Sequence, residues 1–154
     1  MKAKSIFRFV LFFLTLLACG IPANAQVEYR PEMEKFLGDW IHPRNYYECE
    51  YFVRITKKGD FVSLKMKGRD CEQVLKYYDL KDEYFYTEFS SIRFTDDTFY
   101  MQERNDALKK EDISVSWKIV FDKGNLRLYR IARINSENYQ NVQEFMLYPK
   151  ESDW

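Results

Sequence analysis

Few residues in this chain are placed to do acid–base or covalent chemistry. The 154 residues hold one histidine, His42, in the turn-like run "IHPRN". A Ser-His-Asp or Cys-His relay would have to use it, because such nucleophiles need an adjacent base. No serine stands in a Gly-x-Ser-x-Gly elbow, and no phosphate-cradling glycine loop, His-Glu-x-x-His pair or calcium-loop spacing occurs. A lone histidine in a turn reads as solvated surface. Asp and Glu number 24 together. They fall mostly on outward strand positions or in turns such as Asp96-Asp97, where carboxylates serve solvation and turn geometry. The expectation is a protein that is not an enzyme and uses no cofactor and no metal.

The cysteines depend on where the chain is cut. Lys2, Lys4 and Arg8 precede the apolar run "FVLFFLTLLACG", which is too short for a comfortable permanent span. It reads as a signal peptide. One reading ends it at Ala25, after the small-x-small pattern Ala23-Asn24-Ala25. The other takes "LLACG" as a lipobox, ends the signal at residue 18 and lipidates Cys19. Residues 26–35 then form a flexible leader and 36–150 one domain. The expected location is exported: periplasmic, secreted, or held at the outer membrane by lipid on Cys19. Cys49 and Cys71 remain, an even pair in an oxidising compartment, and are expected to form a disulfide. Three of the 24 basic residues lie in the signal, which leaves 21 against 24 acidic ones. That balance argues against nucleic acid as a partner, and no polybasic patch marks a membrane surface.

From residue 40 the dominant signal has a period of two, as a half-buried strand requires. "YECEYFVRI" puts Tyr47, Cys49, Tyr51, Val53 and Ile55 on one face, with Phe52 breaking the polar face. A turn at Lys58-Gly59 would set Ile55 opposite Val62, Val53 opposite Leu64 and Tyr51 opposite Met66. A turn at Asp96-Asp97 sets Phe94 opposite Phe99 and Ile92 opposite Met101. A turn within 122–125 sets Phe121 opposite Leu126, Ile119 opposite Leu128 and Trp117 opposite Arg130. "QVLKYYDLKDEYFYTEF" reads as another strand pair and "VQEFMLYP" as a last strand stopped by Pro149. "MEKFLG" and "NDALKKED" each suggest a helical turn. Without strand–helix–strand alternation, this is an all-β chain: a single antiparallel up-and-down β-barrel of about 8–10 short strands.

"LGDW", at the head of this meander, resembles the opening of the lipocalin and calycin barrels. Their first strand begins with Gly-x-Trp, and the Trp closes one barrel end under an Arg from a late strand. The resemblance, which spans 36–149 in outline, implies Gly38 and Trp40 for the motif and Arg130 for the stacking cation. It also implies a carrier of a small apolar ligand. Against a carrier stands the bulk of Tyr47, Tyr51, Phe94, Phe99, Trp117 and Phe121, which tends to fill a small barrel. In signal, lipobox, size and aromatic β-domain the chain also resembles the potempins, small envelope-targeted peptidase inhibitors of Bacteroidota.

In a filled barrel, function moves to the loops. The segment 103–114 is polar except for Ala107 and Leu108. Leu108, between Asp106 and Lys109, is either an anchor offered to a partner or a cap on the barrel end. The second candidate is 134–142 with Tyr139, and the third is the leader. The expected function is a non-enzymatic exported binding protein, best read as an inhibitor of an exported peptidase acting through a barrel loop. The alternative is the lipocalin-like carrier. If Cys49 and Cys71 are bonded, thiol labelling of the folded, unreduced domain should modify neither. Labelling of both would remove the disulfide.

Overall fold

Period-two alternation is realised as antiparallel hairpins. A computed structural model describes residues 25–43, 50–69, 80–81 and 84–151, with only the backbone at 80 and 81. Signal residues 1–24, Tyr47, the expected Cys49–Cys71 disulfide and most of the 73–81 strand lie outside the described residues. The strands are β1 (Gln26–Glu28), β2 (Gly38–His42), β3 (Glu50–Lys58), β4 (Phe61–Arg69), β5 (Leu80–Lys81), β6 (Tyr84–Thr87), β7 (Phe89–Thr95), β8 (Thr98–Glu103), β9 (Ile113–Asp122), β10 (Asn125–Ile134) and β11 (Tyr139–Pro149). A 3-10 helix spans Pro31–Phe36, and one short helix, α1, spans Asp106–Lys110.

Ten strands follow one hydrogen-bonded path, β5-β6-β4-β3-β2-β11-β10-β9-β8-β7. β6 and β7 run on through Glu88, with β6 paired to β4 and β7 to β8. The half of the β4 edge that β6 leaves is taken by β1, with Gln26 opposite Ser63 and Glu28 opposite Phe61. β1 also lies against β7. The result is an antiparallel, nearly closed β-barrel. The leader expected to be flexible thus belongs to the fold: part of it is an edge strand, and most of the rest is the 3-10 helix.

Two hairpin registers are as the sequence predicts. Asp96 and Asp97 take φ of 50° and 55°, the double left-handed conformation of a type I′ turn, with Phe94 opposite Phe99 and Ile92 opposite Met101. Trp117 faces Arg130 and Phe121 faces Leu126. The β3–β4 register is shifted by two: Ile55 faces Leu64, Val53 faces Met66 and Tyr51 faces Gly68. The turn is Gly59-Asp60, because Gly59 (φ 59°) sits first, where a primed turn needs positive φ. A shift of two preserves which face each side chain takes, so Tyr51, Val53, Ile55, Val62, Leu64 and Met66 still point inward and are buried.

One continuous apolar cluster fills the described interior. At one end Phe36, fully buried, meets Phe94, Phe99 and Phe121 edge-on at 5.7, 5.2 and 5.8 Å between centroids. Trp40 is buried beside it and donates its Nε1–H to the Phe36 carbonyl at 2.9 Å. Gly38 opens this strand at φ 126°, a conformation closed to most side chains. Trp40→Ala should therefore cost roughly 3–5 kcal/mol, the range for a buried large aromatic, in denaturant unfolding. A change near zero would mean that Trp40 is not part of the core.

Candidate functional site

The two loop segments singled out from the sequence meet at the opposite end of the barrel. α1 is built to hold still. Asn105 caps it, its Oδ1 accepting from the amides of Ala107 (3.1 Å) and Leu108 (3.2 Å), as an N-cap should. The Glu111 and Asp112 amides close its far end on the Leu108 and Lys109 carbonyls. Leu108 is 2% exposed and pins the turn to the barrel. It is a cap on the barrel end, and the expectation of an exposed anchor at Leu108 is corrected. An apolar side chain in so short a polar loop gains most by entering the core beneath it. Asp106 and Lys109 are exposed on the outer side of α1.

A strap joins α1 to the β10–β11 turn. Asn135 donates its amide to the Asp112 carbonyl at 3.0 Å, and its Nδ2–H reaches the same oxygen. Ser136 donates its amide to Asp112 Oδ2 at 2.8 Å, and Ser114 Oγ–H reaches Asn135 Oδ1. Asp112 takes φ 59°, which Asp and Asn tolerate better than most residues. The hydrogen bonds from Ser136 hold its carboxyl below the ordinary value of 3.8. Between the strapped loops and β8 runs an open groove of about 680 Å³, with Phe89, Leu108, Ile113 and Val115 as its apolar wall and Gln102, Ser114 and Asn135 among its polar groups. Sequence reasoning did not single out Asp112, Asn135 or Ser136. The register that sets Trp117 opposite Arg130 carries on to Ile113 opposite Ile134. It therefore already placed 112 beside 135.

Beneath the rim lies an inward-facing polar group. Trp117 donates its Nε1–H to the buried Glu103 carboxylate at 2.7 Å. Burial pushes the Tyr51 phenol up to about 12; Arg130 opposes that shift and Glu103 adds to it. The Arg130 guanidinium sits 5.8 Å from the Trp117 ring centroid, a cation–π distance. The lipocalin-type stack of Arg130 on Trp40 is not formed. Arg130 faces Gln143 and Trp40 faces Pro149 along β11; six residues of strand is about 20 Å. Trp40 closes the far end with Phe36, and Arg130 belongs to the rim end.

Tyr139 is exposed at the start of β11, within the second candidate loop. His42 ends β2 and is half-buried, not free in a turn; its Nδ1 lies 2.8 Å from the Met146 carbonyl and its ring 5.2 Å from that of Phe145. Cys19, Cys49 and Cys71 lie outside the described residues. Among the described residues no group of three or more His, Cys, Asp or Glu could hold a metal ion.

Fold and site together define a nearly closed antiparallel β-barrel, compatible with a calycin-like fold, plugged at one end and polar at the other. No protein-family model, curated protein or solved structure matches the chain.

Because the folded Asp112 carboxyl is lowered, its strap stabilises the rim above pH 3.8, and that contribution is lost as pH falls through the lower folded value. The Ser136 amide resonance should accordingly titrate with a midpoint below 3.8. Asp112→Asn keeps the left-handed backbone accessible, and should loosen the rim at neutral pH but not at the acid end. A Ser136 midpoint at or above the ordinary Asp value would remove the strap.

Proposed function

We propose that this chain is a non-enzymatic exported binding protein that engages another exported protein through its strapped rim, and that the partner is a peptidase held in check. The observation that carries the reading is the rim itself. The two loops that flank the β9–β10 hairpin are tied by Asp112 into one platform, with Asp106 and Lys109 exposed on it. A loop already fixed in its bound shape loses little entropy on docking. A groove with an apolar wall and polar edges suits a partner's side chain. The carrier reading is weaker, because the rings of Phe85, Trp117 and Phe145 all pack against Tyr51 in the described interior.

The test is native mass spectrometry of the tagged protein captured from its producing cells and their medium. A protein-sized increment supports the reading and identifies the partner. A lipid-sized increment supports the carrier instead, and a bare mass argues against any stable complex. Lys109→Glu reverses an exposed charge on α1. It should weaken the captured complex about tenfold, or ~1.4 kcal/mol, without moving the melting temperature. Unchanged affinity would take α1 out of the interface.

A further inference from the structure

β11 runs on past the end of β2 as the edge of a sheet that continues through β10 and β9. From Tyr139 to Glu144 every residue of β11 is exposed. The ladder from β2 to β11 ends at Ile41 opposite Tyr148. Two local features stop it there. Pro43, next but one after Ile41, has no N–H to donate. The His42 ring, with its Nδ1 at 2.8 Å from the Met146 carbonyl, occupies that acceptor. Upstream of that point β11 has β10 as its strand partner among the described residues.

Exposed strand edges are ordinarily guarded by lysine, proline, a bulge or an inward charge, because an unpaired edge is a template for another strand. Tyr139–Phe145 has none of these guards. Its register with β10 is unbroken, and its one charge, Glu144, is held by Arg127 at 2.8 Å. Val142 is 53% exposed at the middle of the edge, and Tyr139 is 55% exposed at its end. An edge of seven residues with no second strand beside it among the described residues points to a strand that covers it.

We propose that the covering strand is β11 of a second copy of this chain, added antiparallel about a two-fold axis at Val142. In that register Val142 meets the partner's Val142, Tyr139 meets the partner's Phe145, Asn141 meets the partner's Gln143, and Glu144 meets the partner's Gln140. No like charges face each other across the axis. The carboxylate of Glu144 comes beside a glutamine whose side chain is held by Arg133, as Gln140 is here at 3.0 Å. The pairing is thus self-complementary in charge as well as in backbone, as an isologous contact must be. A strand pair of this length, about 24 Å, buries less than the roughly 1,200–2,000 Å² of a stable interface. The dimer is therefore a concentration-dependent equilibrium. The edge begins at Tyr139, in the second rim loop, while α1 lies beyond β9 and β10, so Lys109→Glu tests the rim and Val142→Lys tests the edge.

Sedimentation velocity of the processed chain, purified from its producing cells, should show monomer passing to dimer as concentration rises. Val142→Lys sets two ammonium groups face to face at the axis and should hold the chain monomeric. Val142→Glu should do the same with two carboxylates. An equimolar mixture of the two variants should recover the dimer, because opposite charges then meet. Since Val142 is exposed, both variants should melt with the parent. A parent that stays monomeric throughout overturns the proposal and returns the edge to another protein's extended segment. So does a dimer indifferent to Val142→Lys, or a mixture that stays monomeric.

Discussion

The Phe36 ring decides how this barrel closes. Three aromatic edges from two different hairpins converge on it, each such contact being worth roughly 0.5–1.5 kcal/mol beyond the area it buries. Its carbonyl, left without a helical partner at the end of the 3-10 turn, accepts the Trp40 N–H. One residue therefore fixes both the β7–β8 and β9–β10 hairpins and the start of β2. The helix that carries it begins at Pro31, whose fixed φ suits a first helical position. Lys35, next along, ties the same helix to the β7–β8 turn through Asp97 at 2.7 Å. The pair is exposed, so its contribution is small; the plug is held by packing.

The hairpins were legible because two local signals agree. Alternation assigns faces, and an Asp-Asp or Lys-Gly pair in a turn assigns register. Where the turn chemistry was ambiguous, at Lys58-Gly59-Asp60, the faces were still legible but the register was off by two. β1 was not legible at all. Its three residues carry no pattern, and it exists because β6 leaves part of the β4 edge open far along the chain. Unpaired backbone groups at that edge recruit whatever strand can reach. Phe52 is a similar case. It breaks the alternation as an outward aromatic, and only the fold shows why it is tolerated: the Tyr84 ring and the Lys67 and Lys150 ammonium groups cover it, leaving it 5% exposed. The same covering desolvates Lys67 and lowers its pKa.

The candidate site was legible in its parts but not in its assembly. Asp106, Lys109 and Tyr139 were found as polar or aromatic residues in long connections, which is where binding residues concentrate. What joins their loops is Asp112 with Asn135 and Ser136, all of types that favour turns, so nothing in their identity marks them as partners. Arg130 shows how a resemblance can fix a residue's face and miss its neighbour. The alternation places it inward, but its position along the strand puts it at the rim. The cation therefore sits over Trp117, and Trp40 is satisfied by a backbone carbonyl instead.

The two ends of the barrel answer the same physical demand differently, and the difference is what the proposed rim function rests on. A barrel end must cover its inward side chains and satisfy its last backbone groups. At the Phe36 end both needs are met by rings and by one indole N–H, and the polar turn residues there, Lys35 and Asp97 among them, lie outside the plug. At the rim end the inward positions include Glu103 and Arg130, and coverage comes from a short helix anchored by a single leucine. Such an end needs polar groups to hold its loops, and the Asp112 strap supplies them. The rim thus stands above an apolar wall with its loops fixed by hydrogen bonds, and the proposed docking rests on that preorganisation.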